Sequence, residues 1–273
     1  MVFDGDTEKL LQACLADLEQ GRFRIVADTW NCLGVVGRHS RFMKFPKNQD
    51  SKLKLALEAN IHHGIEIVQP GLAPHYIYCG PLEWGHFDCV AIRAFEPGMT
   101  AEALPRLSRQ AMQLCFDAGI AAARVHKQVA PELRAIVPDR CSLGWYCGLR
   151  DQLRGTVESK RFHHWSDALD TIRAVSGSLG ALPLIHGDLK PMHLLRLADG
   201  RVRFLDWSNV RKEHAAFDCA TMKANCNDQS YEAFKEGYKS VTSYPEEVLV
   251  DAHAHVIDME AAWFEHRADI QRA

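Results

Sequence analysis

The chain has 273 residues, of which 47% are hydrophobic and 25% charged, with a formal net charge of −3. That length allows one large domain or two lobes around a substantial core, and the composition is ordinary for a globular chain. The slight acid excess argues against general nucleic-acid binding, the acidic start Met1-Val2-Phe3-Asp4-Gly5-Asp6 lacks the pattern of a signal peptide, and no apolar run approaches the roughly 18 residues needed to span a bilayer.

Residues 8–19 place Leu10, Leu11, Cys14, Leu15 and Leu18 at helical spacing. Three strand-like runs follow at 23–27, 32–36 and 41–45, with Gly34 and Gly37 in or beside the second. A helical stretch covers 51–63, and two more strands are expected at 75–79 and 87–95 before Pro97-Gly98 breaks the chain. Helices dominate from there. Residues 104–126 read as one long helix or two joined at Gly119, 128–164 are mixed, 165–179 are helical, and two helices close the chain around 229–241 and 245–271. This order predicts an α+β chain. A small N-terminal lobe, 1–96, has an antiparallel sheet and one helix. A larger, mainly α-helical lobe spans 97–273. A cleft between such lobes is a common home for a ligand.

None of the nine cysteines falls in a Cys-x-x-Cys pair, and Cys141 and Cys147 are too far apart for a usual zinc knuckle. Scattered thiols of this kind point to a reducing cytosol. Two histidine pairs, His62-His63 and His163-His164, are adjacent in sequence. On a helix such neighbours splay apart rather than chelate one ion.

The densest signal runs from Leu184 to Trp207. Its core is His186-Gly187-Asp188-Leu189-Lys190-Pro191-Met192-His193, and it ends in Leu205-Asp206-Trp207. Asp199-Gly200 between two apolar-rich runs predicts a tight hairpin turn. The layout is a loop bearing Asp188 and His193, a strand, a turn, a second strand and then Asp206. Phosphoryl transfer uses such a set: one carboxylate orients or deprotonates the attacking hydroxyl, and a second holds a divalent cation against the phosphates. Asp188 is the candidate base, Asp206 the candidate metal ligand, and His193 stands where a further ligand would be.

His186-Gly187-Asp188, with a ligand position five residues beyond Asp188 and then Leu205-Asp206-Trp207, resembles the aminoglycoside-phosphotransferase and choline-kinase-like superfamily, whose members share the protein-kinase fold. The resemblance implies a phosphotransferase with an alcohol acceptor, ATP or GTP as donor, and Mg²⁺. It implies that Lys44, in Arg41-Phe42-Met43-Lys44-Phe45, pairs with the α- and β-phosphates, and that Glu58 is its helix partner. Ala94, Phe95 and Glu96 correspond to the hinge that meets the base. Phe217-Asp218-Cys219-Ala220 resembles the later element whose aspartate steadies the catalytic loop.

The chain departs from the family pattern at three points. His193 stands where asparagine is usual, and imidazole suits softer metals such as Mn²⁺. Gly34 and Gly37 do not make a GxGxxG loop. Lys190 stands two residues after Asp188, where it could stabilise charge on the transferred phosphate. Two rival readings are a protein kinase and a nucleotide-binding pseudokinase. Against the first, Gly187 replaces the arginine of regulated protein kinases, and only about a dozen residues separate Asp206 from Asp218, little room for an activation segment. The second rests on His193 and the sparse glycines, although both carboxylates and the lysine are present. There is no Walker A sequence, and Ser176-Gly177-Ser178-Leu179-Gly180 lacks the first glycine of a nucleophile elbow. The acceptor is expected to be a small hydroxyl compound, with neither nucleic acid nor membrane as partner. Asp228, Glu232, Glu236, Asp251, Asp258, Glu260 and Glu265 would suit a cationic one such as an aminoglycoside. A sugar, an amino alcohol or a biosynthetic intermediate is the alternative, and a solvated helical face accounts for most of these acids.

Overall fold

The computed structural model describes residues 5–272 except 30, 39, 106–107, 128–132, 134–136, 138–141 and 177–181. The chain divides into two compact units: Met1–Met99 with Leu195–Asn209, and Thr100–Leu194 with Val210–Ala273. Cys141 and residues 177–180 of the rejected nucleophile-elbow stretch lie outside the described residues.

The first unit opens with helix α1 (Gly5–Glu19) and strands β1 (Phe23–Asp28), β2 (Cys32–Gly37) and β3 (Arg41–Pro46). Helix α2 (Gln49–Val68) and strands β4 (Tyr76–Trp84) and β5 (Phe87–Ala94) follow. The sheet is antiparallel, in the order β1-β2-β3-β5-β4. Alternation along β3 decides what each face receives. Met43 and Phe45 are fully buried in a core with Leu11, Cys14 and Leu18 of α1, so Lys44 projects from the opposite face. α2 runs farther at both ends than the expected 51–63. Asn48 caps it reciprocally, accepting from the Ser51 amide at 2.8 Å while the Ser51 hydroxyl accepts from the Asn48 amide.

The expected hairpin is present as β8 (Leu194–Leu197) and β9 (Val202–Phe204), with β6 (Gly98–Thr100) beside β8. Gly200 adopts φ +86°, a conformation only glycine takes without strain, and the Asp199 side chain accepts from the Arg201 amide at 3.0 Å. The hairpin groups with the N-terminal strands for identifiable reasons. The Phe204 amide donates to the Leu72 carbonyl at 2.7 Å, Arg203 pairs with Glu96, and a 3₁₀ turn at Trp207–Asn209 packs on α2.

The second unit contains α3 (Arg109–Lys127), α4 (Ser142–Gln152), α5 (Ser159–Ser176), the short strands β7 (Leu184–Ile185) and β10 (Arg211–Lys212), and α6 (Ala216–Asn225), α7 (Asp228–Lys239) and α8 (Glu247–Arg272). α3 starts five residues later than expected, because Ser108 caps it, accepting from the Ala111 amide at 3.1 Å. α3 and α7 touch backbone to backbone: a Cβ at Gly119 would lie 2.0 Å from the Phe234 carbonyl oxygen, and one at Gly237 1.9 Å from that of Phe116. A second core joins α4, α5 and α8 around the fully buried Trp165. Among the described residues, no helix is long and apolar enough to cross a membrane.

Candidate active site

In the first unit three charged side chains meet. The Lys44 ammonium lies 2.8 Å from Glu58 Oε2 and 2.9 Å from Asp206 Oδ1. Lys44 is delivered by the alternation of β3, Glu58 by the inner face of α2, and Asp206 by the residue pair after β9. Glu58 is buried, and its other oxygen accepts from the Tyr76 hydroxyl at 3.2 Å. Burial disfavours the Lys44 charge, but Glu58 and Asp206 outweigh it and hold the ammonium well above its usual pKa. Burial also pushes the Glu58 carboxyl up, with Lys44 opposing. The 2.8 Å contact favours the charged pair. One cation between two carboxylates leaves net negative charge on the set. Asp206 has φ +61° and, with Ser40, is one of two non-glycine residues at positive φ among the described residues. Such backbone costs about 1–3 kcal/mol and is found where geometry is held for a purpose.

The hinge residues follow at the end of β5. The Phe95 amide already donates to the Ser40 carbonyl at 2.7 Å, so it is not available to a nucleotide base. Ala94 pairs with Arg41 across the sheet. Glu96 is engaged by Arg203 through one oxygen, and its Oε2 is buried without a hydrogen-bond partner.

In the second unit the loop after β7 gathers Asp188, Lys190 and His193. Lys190 Nζ is 3.0 Å from Asp188 Oδ2. His193 is largely buried, and its Nδ1 donates to the Asp188 backbone carbonyl at 2.8 Å. That bond puts the ring proton on Nδ1 and the lone pair on Nε2, the arrangement of a metal-binding imidazole. Beneath the loop, buried Asp218 accepts from the amides of His186 and Gly187, each at 2.8 Å, and from His126 Nε2 at 3.0 Å. Burial opposes the Asp218 charge, but hydrogen bonding to His126 and the nearby histidines win, and its carboxyl is held below the usual range. Asp218 sits in the first turn of α6, whose N-cap is Ala215. Arg211 stacks on Phe217 with its guanidinium 4.1 Å from the ring centre, and one of its amino groups reaches the Gly187 carbonyl at 3.5 Å.

Sequence reasoning missed His126, Tyr76 and Arg211. His126 ends an apolar helix 92 residues before its partner, and no local pattern marks such a meeting. Of the adjacent histidines, His62 is buried and His63 exposed, and exposed His164 stacks on His255 with ring centres 5.4 Å apart.

Among the described residues no three His, Cys, Asp or Glu side chains cluster to make a metal site by themselves. A hard cation that arrives with a triphosphate needs only one or two protein carboxylates. The oxygen donor of Asp206, in a set with net negative charge, fits that requirement.

No protein-family model matches the sequence, and no curated protein matches it. Solved structures do. A complex of an aminoglycoside phosphotransferase with GDP and kanamycin superposes with a TM-score of 0.75 at 12% identity, covering 97% of this chain and 94% of that one. The macrolide 2'-phosphotransferase of Brachybacterium faecium gives 0.70 at 15%, covering 98% and 93%. A choline/ethanolamine kinase family protein from Mesorhizobium loti gives 0.68 at 15%, covering 94% and 84%. The chain therefore has the α+β kinase-like fold shared by antibiotic phosphotransferases and choline-kinase-like proteins, the fold that His186-Gly187-Asp188 and Leu205-Asp206-Trp207 led us to expect.

Proposed function

We propose that this chain is a small-molecule kinase that transfers the γ-phosphate of ATP or GTP to a hydroxyl group. The observation that carries the reading is Lys44 held between Glu58 and Asp206 at 2.8 and 2.9 Å. An ammonium fixed by a buried glutamate is oriented for phosphate oxygens, and the net negative set favours a divalent cation beside it.

Asp188 accepts the proton of the acceptor hydroxyl as its oxygen attacks the γ-phosphorus and the bond to the β-phosphate oxygen breaks. Lys190, 3.0 Å from Asp188, donates to the equatorial phosphate oxygens as charge spreads over them. Asp218 holds the amides of His186 and Gly187 and so fixes the backbone from which Asp188 projects. Asp206 and His193 would hold Mg²⁺, or Mn²⁺, which offsets phosphate charge when bound. In the hinge of Ala94, Phe95 and Glu96 the Phe95 amide is committed to Ser40, so the base meets the remaining backbone groups, the Phe95 carbonyl among them. The eight described cysteines are all free thiols, which supports a reducing, cytoplasmic setting. Antibiotics and small metabolites both remain acceptor classes on this reading.

The test is nucleoside-diphosphate release with a panel of hydroxyl compounds. Turnover in the parent and its near loss in Asp188→Asn, with nucleotide affinity retained, is the expected result. Equal turnover in both proteins removes Asp188 from its role.

A further inference from the structure

A cavity of about 370 Å³ lies wholly within the second unit, at the small end of small-molecule pockets. Lys190, Pro191 and Met192 of the catalytic loop are part of its lining. Lys190 lines the cavity and also contacts the Asp188 carboxylate at 3.0 Å. The space is therefore one side chain away from the candidate base.

The walls are fixed before any ligand arrives. Ala111 and Cys115 come from α3, and Ser230 from the start of α7, two helices locked together at Gly119 and Gly237. Asn227 caps α7 by accepting from the Ser230 amide at 3.0 Å, and the Cys226 amide closes α6 on the Met222 carbonyl at 2.9 Å. Three polar side chains, Asn225, Asn227 and Ser230, stand among small apolar ones such as Ala101 and Ala224.

The charge in this lining is spare. Among the described residues of the lining, Glu102 is the one carboxylate, and the charge of Lys190 is matched by Asp188. The acids that the sequence offered to a cationic acceptor are elsewhere. Asp251 pairs with Lys223 at 2.6 Å, Asp258 with Arg161 at 2.7 Å, and neither lines the cavity. Each ammonium group taken from water without a partner carries a large desolvation cost. A polycation with one counter-charge available would leave most of its ammonium groups uncompensated.

Resting on the kinase reading, we infer that this cavity receives the acceptor and selects a neutral or singly cationic hydroxyl compound over a polycation such as an aminoglycoside. The single charge sits against Glu102, and hydroxyl groups meet Asn225, Asn227 and Ser230.

Two readouts on the same compounds test this. Methyl glucoside serves as the neutral probe, glucosamine as the single cation and kanamycin as the polycation, within a wider panel sorted by charge. The first readout is stimulation of ADP release. The second is protection of Cys226, a partly exposed residue of the lining, from p-hydroxymercuribenzoate, a reagent that takes the neutral thiol favoured by the Cys115 hydrogen bond and by burial, read by peptide mass spectrometry. Neutral or singly charged compounds are expected to do both. Ala224→Trp, which fills the cavity from its exposed side, is expected to raise the KM of an active acceptor about tenfold or more while the KM for ATP stays within about twofold. Glu102→Gln is expected to weaken only the singly charged compounds. Turnover confined to polycations, or turnover by compounds that leave Cys226 unprotected, overturns the cavity assignment. Protection of Cys226 without turnover by any compound overturns the kinase reading and leaves the cavity a binding site. If neither readout responds to any compound, both fall.

Discussion

Asp218→Asn is the most informative single change in the catalytic loop support. The carboxylate is 1% exposed and accepts three hydrogen bonds, two from backbone amides at 2.8 Å and one from His126 at 3.0 Å. Asparagine keeps the shape but turns one acceptor into a donor. Whichever way the amide is turned, at least one buried N–H then faces another donor. The loss of a hydrogen bond to a charged group, about 1.5–3 kcal/mol, is joined by an unpaired buried donor, about 1–3 kcal/mol. A destabilisation of about 3–5 kcal/mol follows, in the range for breaking a buried charged contact, which lowers Tm by roughly 10 °C in a chain of this size. The His186-Gly187 backbone loses its anchor, so kcat falls while the KM for nucleotide, set by Lys44, changes little. The sign of the pH effect is fixed. The folded carboxyl titrates below its unfolded value, so its stabilisation is present above the unfolded value and is lost as pH falls through the folded one. The mutant therefore lacks part of the acid-limb slope of the parent. Urea denaturation between pH 7 and pH 3, with steady-state kinetics at pH 7, reads all of this. A mutant within 1 kcal/mol of the parent and with unchanged kcat refutes the clamp.

Three further outcomes are expected. Lys44→Met leaves Glu58 buried without its cation, costing about 3 kcal/mol at neutral pH; the penalty shrinks as Glu58 protonates at lower pH, and kcat/KM for ATP falls about 100-fold or more. Gly119→Ala places a Cβ 2.0 Å from the Phe234 carbonyl oxygen and is expected to cost about 3 kcal/mol or more, whereas Gly144→Ala in α4, with nothing within 4 Å, is neutral or stabilising by up to about 1 kcal/mol; thermal melts compare the two. Burial pushes the His253 ring down to about 3, and both its nitrogens are buried without hydrogen-bond partners. Its folded pKa lies below the unfolded one, so stability is complete above about pH 6.5 and declines by up to about 1.4 kcal/mol per unit as pH falls. His253→Phe should remove about 2 kcal/mol of the difference between pH 7 and pH 5 in urea denaturation.

Local chemistry made much of this molecule legible. The strands around Lys44 alternate, the Asp199-Gly200 turn has one favoured geometry, and the carboxylates flanking the hairpin carry the motif. What escaped was set by distance along the chain. α4 was unreadable because Gly144 and Gly148 interrupt its pattern, and its burial comes from packing on α5 and α8. The hairpin at 195–209 belongs with the N-terminal strands through the Phe204–Leu72 and Arg203–Glu96 contacts, which no periodicity encodes. The acid-rich C-terminal region suggested a cationic ligand, but a carboxylate's availability depends on its partner. Lys223 and Arg161 had already claimed Asp251 and Asp258.

The proposed function requires residues 188 and 206 to serve one phosphoryl-transfer reaction. A crystal structure with a non-hydrolysable ATP analogue and Mn²⁺, located by its anomalous signal, tests it most directly. The expected result is Lys44 on the α- and β-phosphates, the cation between Asp206 and the phosphate oxygens, and Asp188 facing the γ-phosphate. A nucleotide bound away from Lys44, or Asp188 turned from the γ-phosphate with the cation ligated elsewhere, contradicts it.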